Sequence, residues 1–254
     1  MKILGVDTGD AGRRGRGEPG SLGELIGRNA ALRAAFAGDT PRQGRLRELQ
    51  RWQSQRLLKS HDDLHRSPRY RLAVEFFFSE LYGAGDASWR DRDLMKVQRV
   101  MERLLPTEAL RALRLAVELE VTSQELDVAV TRALAPGALT VDTYASAYRA
   151  AGHRPQRERQ IELIDEVGTY LDRVVGRPII RGLVRLARGP AHAAGFGQMQ
   201  EFLEHGLAAF ESMHGAQEFL ETIRAREWRS MERLFSGVGD PFEFEAAARR
   251  RTGG

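Results

Sequence analysis

The chain is predicted to be all-α, a compact multi-helix bundle of about nine or ten helices, and three observations carry that prediction. Apolar residues recur at three- and four-residue spacing over long stretches, as in Leu94, Val97, Met101 and Leu104. Gly and Pro punctuate the gaps between these stretches, at Ala135-Pro136-Gly137, Gly176-Arg177-Pro178 and Gly189-Pro190. Strand-type alternation is nearly absent beyond the first six residues.

Taken in order, residues 1–20 are glycine-rich and aperiodic and are expected to form an arm without fixed structure. Ser21 with Glu24 makes a capping box for a first helix over residues 21–36. Asp39-Thr40-Pro41 starts a long basic helix through residue 65, with Leu46, Leu49, Trp52 and Leu57 on its apolar side. Ser67 and Pro68 then open a helix that Gly83 closes. Its Leu72, Ala73, Phe76, Phe77, Leu81 and Tyr82 recur at helical spacing, and Phe78 widens the apolar arc, so this helix is expected to be pressed between neighbours.

Ser88 with Asp91 caps a helix to residue 105, whose narrow seam suits a single neighbour. Pro106-Thr107 begins the next helix, ending near residue 120, and Thr122 with Glu125 reads as a further capping box for a separate helix through 134. A short helix over 141–152, a long one over 155–175 and a short one over 178–188, stopped by Gly189-Pro190, come next. Helices over 196–213 and 216–235 complete the domain, 21–236, and residues 237–254 are expected to be a flexible tail.

Composition sets bounds on function. There is no cysteine, which excludes disulfides, thiolate metal sites and cysteine nucleophiles. No apolar run has the length of a membrane span, and the amino terminus lacks a signal-peptide pattern, so a soluble, cytoplasmic chain is the expectation. The net charge is only +4 although the pI is about 9.7. Arginine outnumbers lysine 36 to 3, a bias of the kind a GC-rich bacterial genome produces, rather than a selected phosphate-binding surface.

The stretch Phe76-Phe77-Phe78-Ser79-Glu80-Leu81-Tyr82-Gly83 resembles the Phe-Phe-Leu-Glu-Asp/Glu-Leu-Tyr-Gly signature of a family of uncharacterised proteobacterial proteins. Pro68-Arg69-Tyr70 before it, Arg92-Asp93 after it and Arg157-Glu158-Arg159-Gln160-Ile161 further on extend the likeness over about residues 46–226. Phe78 and Ser79 depart from the signature, which has Leu and Glu there. The resemblance implies no activity and no catalytic residues.

Few motifs carry chemistry. Met1-Lys-Ile-Leu-Gly-Val-Asp7-Thr-Gly looks like the opening strand and acidic turn of Mg²⁺-dependent nucleases and sugar-kinase-type ATPases, but the further strands and carboxylates of such a site do not follow. His61 and His65 stand one helical turn apart, as in zincin metal sites, and Glu201 with His205 is a second such pair that could converge on them. The same histidines are the candidates for a haem ligand. Solvated histidines near a helix end are the ordinary reading, so no metal ligand is assigned and the cofactor is left unknown. No phosphate-binding loop, dinucleotide fingerprint or Gly-x-Ser-x-Gly elbow occurs.

Residues 41–71 carry nine Arg or Lys against Glu48, Asp62 and Asp63, a local net charge of +6. These charges are spread around the helix and lack interleaved aromatics, so a solvated face is expected rather than a nucleic-acid groove. The functional expectation is a non-catalytic interaction or regulatory module that binds a protein partner. The alternative is a metal- or haem-dependent enzyme with a helical-bundle pocket using some of His61, His65, Glu201 and His205.

Overall fold

A computed structural model describes residues 21–37, 40–81 and 88–244. Among them the fold is all-α, with eleven α-helices and one π-helical segment. The helices are α1 (Leu22–Ala37), α2 (Thr40–Ser60), α3 (Asp62–Arg66), α4 (Arg71–Glu75), the π segment (Phe76–Leu81), α5 (Ser88–Leu104) and α6 (Thr107–Ala133). They continue as α7 (Val141–Ala151), α8 (Arg154–Val175), α9 (Pro178–Ala193), α10 (Gly197–Met213) and α11 (Gln217–Ser236). The arm expected over residues 1–20, and Tyr82 and Gly83, lie outside the described residues.

Helices α6 and α8 lie against each other at the centre. Helix α11 covers the other side of α8, α1 and α7 lie on α6, and α10 carries α4 and α9. Gly168 permits the α8–α11 approach: a Cβ there would stand 2.3 Å from Leu220 Cδ2 and 3.0 Å from its Cγ. The apolar interior on this side is built on the three consecutive phenylalanines, Phe76, Phe77 and Phe78, all buried. Phe77 packs edge-on to Phe210 at 5.6 Å and tilted on Phe219 at 5.8 Å, and Phe76 lies over Gly206, where a Cβ would come within 2.9 Å of its Cζ.

Several elements differ from the sequence expectation, each for a physical reason. The Phe-rich helix starts at Arg71, because Pro68 and its neighbours form a turn in which the Tyr70 and Arg71 amides bond back to Ser67. It then widens into a π turn, whose i→i+5 bonding lets three successive rings all face inward. Leu72, expected in the apolar arc, is 44% exposed. The basic helix breaks at His61, leaving α3 as a separate turn. The Thr122–Glu125 capping box does not form, since α6 runs unbroken through it. No Gly or Pro interrupts residues 107–133, and Val121 and Leu126 are buried on opposite sides of the expected boundary. Helix α9 passes through Gly189-Pro190 to Ala193. The carbonyl that Pro190 leaves without a helical partner is that of Leu186, a residue 77% exposed, so water can serve it.

The first capping box forms as its pattern implies, whereas the start of the expected tail does not stay free. The Ser21 hydroxyl accepts from the Glu24 amide at 3.3 Å while Glu24 Oε2 accepts from the Ser21 amide at 2.7 Å. Residues 237–244, at the start of the expected tail, fold back on the bundle. There Phe242 is buried against Trp52 and Tyr144, and Glu243 pairs with Arg229.

Replacing Phe77 with Ala is expected to cost about 3–5 kcal/mol, read as a lower melting temperature. Gly168→Ala is expected to destabilise by about 1–3 kcal/mol through overpacking against Leu220. That loss exceeds the helix-propensity gain of about 1 kcal/mol, so the same melting experiment checks its sign.

Candidate functional site

A polar cavity of about 130 Å³ lies inside the bundle, between α2, α6, α7, α8 and α11, with the π segment at one wall. It exists because each long helix carries polar residues along an inward stripe. On α8 the stripe reads Arg157, Ile161, Ile164, Gly168, and on α6 it reads Glu120, Gln124, Asp127. Helix α2 brings Gln50, Gln53 and Arg56, and α11 interrupts Leu220 and Ile223 with Glu227 and Ser230.

The charges inside are mostly matched. Arg56 Nη1 donates to both oxygens of Glu227 at 2.7 Å, with the two side chains only 9% and 11% exposed. The Arg56 guanidinium, with a smaller contribution from His61, holds the Glu227 carboxyl below its ordinary value despite burial, which alone would raise it. Arg33 pairs with Glu120 at 2.6 Å, and Gln160 donates to Ser123 Oγ at 2.8 Å. Asp127 accepts from Gln53 at 2.8 Å and Gln50 at 3.3 Å; burial pushes its carboxyl up. Arg157 is 4% exposed, and its Nε and Nη2 have no hydrogen-bond partner. Its guanidinium lies 4.3 Å from the centre of the Tyr148 ring. Burial raises the phenols of Tyr148 and Tyr144, so both remain neutral at physiological pH.

The sequence-predicted histidine set does not assemble. His61 is fully buried beside Phe78. Its Nδ1–H donates to the Leu57 carbonyl at 3.0 Å, and its Nε2 stands 3.9 Å from Glu227 without a hydrogen bond. His65 faces Glu75 at 3.5 Å, Glu201 lies 4.0 Å from His192, and His205 is exposed on α10. Among the described residues no three His, Cys, Asp or Glu side chains form a metal-binding group.

Much of the basic stretch is engaged in pairs, while Arg47 and Arg51 stand exposed on α2. Arg45 binds Glu48 and the Ala135 carbonyl, and Arg66 binds Asp62. Arg69 binds Glu218 and the Met213 carbonyl, and Lys59 sits over the Phe244 ring. Arg56 belongs to the interior. The cavity leaves no motif in the sequence, because it is lined by common residues from several helices. Its one sequence signal is an arginine, Arg157, in register with Ile161 and Ile164 on an otherwise apolar stripe.

A second feature lies on the surface. Ile180 and Val184 turn α9 inward, and the Val184 carbonyl accepts from Gln200 on α10 at 2.7 Å. Arg188 grips Glu204 through both oxygens and, with Gln200, holds that carboxyl down at about 2. Ile179, Leu183 and Leu186, at i, i+4 and i+7, are left 64%, 38% and 77% exposed along one line. Helix α9 contains no acidic residue.

The architecture defines an all-α bundle with a polar interior cavity. The chain belongs to the DUF8198 family, a domain of unknown function whose model matches residues 33–241 and so spans both features. No curated protein and no solved structure matches it. No helix among the described residues is long and apolar enough to cross a membrane.

Burial holds His61 below its ordinary pKa of 6.5, against the opposing pull of Glu227. The unfolded chain therefore takes up this proton more readily than the folded one. The contribution of neutral His61 is fully present above pH 6.5 and is lost as the pH falls below it. Urea midpoints between pH 7.5 and 5 are expected to drop for the natural chain and to drop less for His61→Gln.

Proposed function

We propose that this chain is a non-catalytic interaction or regulatory module of the cytoplasm that binds a protein partner along α9. The observation that carries the reading is the exposed line of Ile179, Leu183 and Leu186 on a helix that itself carries basic residues and no acidic one. Isolated exposed apolar residues are ordinary, whereas three in helical register on an arginine-rich helix are a docking ridge. Arg181 and Arg188 are tied to Glu211 and Glu204 of α10, which fixes the ridge on the bundle. Arg185 makes no ion pair among the described residues and is available to the partner. The partner that fits is an amphipathic helix with an apolar stripe edged by Asp or Glu. The likeness to proteobacterial sequences supports a bacterial host for that partner.

A photo-crosslinking amino acid at Leu183, introduced in the native host, is expected to give one discrete adduct. A Leu186→Asp change should abolish that adduct without lowering the melting temperature. Absence of an adduct, or flotation with anionic vesicles in its place, would assign the ridge to another role.

A further inference from the structure

Arg157 is the cation that the cavity leaves without an ion pair. It is 4% exposed, makes no ion pair among the described residues, and has two buried nitrogens without partners. A buried cation without a hydrogen-bonded counter-charge is costly, and the face of the Tyr148 ring together with the through-space pull of Asp127 offsets only part of that cost. The remaining negative group on the same cavity is Asp127, which is held by the Gln50 and Gln53 amides and forms no ion pair. Every other charge lining the cavity is engaged, Arg56 with Glu227 and Arg33 with Glu120. One cation and one anion are thus left over in a single small space, which also has an apolar wall at Phe77, Ile161, Ile164 and Leu220.

We propose that this cavity binds a small zwitterion of amino-acid size, with its carboxylate at Arg157, its ammonium at Asp127 and a small aliphatic side chain against the apolar wall. A plain anion would leave Asp127 without a cation, and a plain amine would leave Arg157 as it is. Only a molecule bearing both charges completes the set, and charge-assisted bonds at both ends fix its orientation. Size limits the class further: a cavity of about 130 Å³ is close to the roughly 150 Å³ that holds a benzene ring, so glycine, alanine or valine fits and a nucleotide does not. The site is independent of the α9 ridge and stands whether or not a partner docks there.

Titration calorimetry on the full chain with glycine, alanine and valine tests the site, with propionate and isobutylamine as the two half-ligands. The expected result is saturable one-to-one binding of at least one amino acid, with both half-ligands weaker by about tenfold or more. Arg157→Met, which keeps an apolar stem, should weaken amino acid and propionate alike by at least about tenfold. Asp127→Asn, nearly isosteric, should weaken the amino acid and leave propionate unchanged. If Arg157→Met does not fold, the Asp127→Asn selectivity decides alone. Absence of saturable heat from all five compounds, propionate as tight as the amino acids, or unchanged affinities in both variants would each overturn the proposal.

Discussion

The bundle depends on α8 lying flush against α6 on one side and α11 on the other. That double contact is possible because Gly168 presents no side chain where Leu220 arrives. Deeper in the same layer Leu115 of α6 meets Leu163 and Val167 of α8 in a fully buried cluster. With α8 held this way, its inward stripe is fixed in rotation, and Arg157 at its start is carried inside regardless of its own preference for water. Burial of the arginine is a consequence of helix packing, and the helices bear its cost collectively.

The rest of the interior accommodates that charge in graded fashion. Arg56 reaches both oxygens of Glu227 through its single Nη1 and so ties α2 to α11. Arg33 ties α1 to α6 through a contact from Nη2 to one oxygen of Glu120. Asp127 is solvated by glutamine amides instead of by a cation, which keeps a carboxylate inside without closing the cavity. His61 adds a ring whose second nitrogen points at Glu227 but falls short of a bond.

How much of this was legible in the sequence depends on the kind of signal. Helix class and most boundaries follow from apolar spacing and from Gly and Pro punctuation, and the Ser21–Glu24 cap forms as its pattern implies. Thr122 and Glu125 have a capping pattern too, but burial of Val121 and Leu126 outweighs it, because a cap contributes about 1 kcal/mol and two buried side chains contribute more. Pro190 reads as a stop, yet it sits where the orphaned carbonyl faces water. The π turn leaves no periodic trace beyond three phenylalanines in a row. The histidines drew attention as residue types, whereas the cavity is made by common residues whose meaning is positional, and position becomes visible only once the stripes of five helices converge.

A π segment uses one residue more than an α-helix would to reach the same end point. A chain shortened by one residue between 76 and 81 would therefore close into an ordinary α-helix and turn the Phe78 carbonyl, which accepts from the Ser54 hydroxyl at 2.7 Å, away from α2. Length in this segment is thereby coupled to the seating of α2. A deletion here would be accommodated only together with a change at position 54, so the two sites should vary as a pair across natural sequences of this fold.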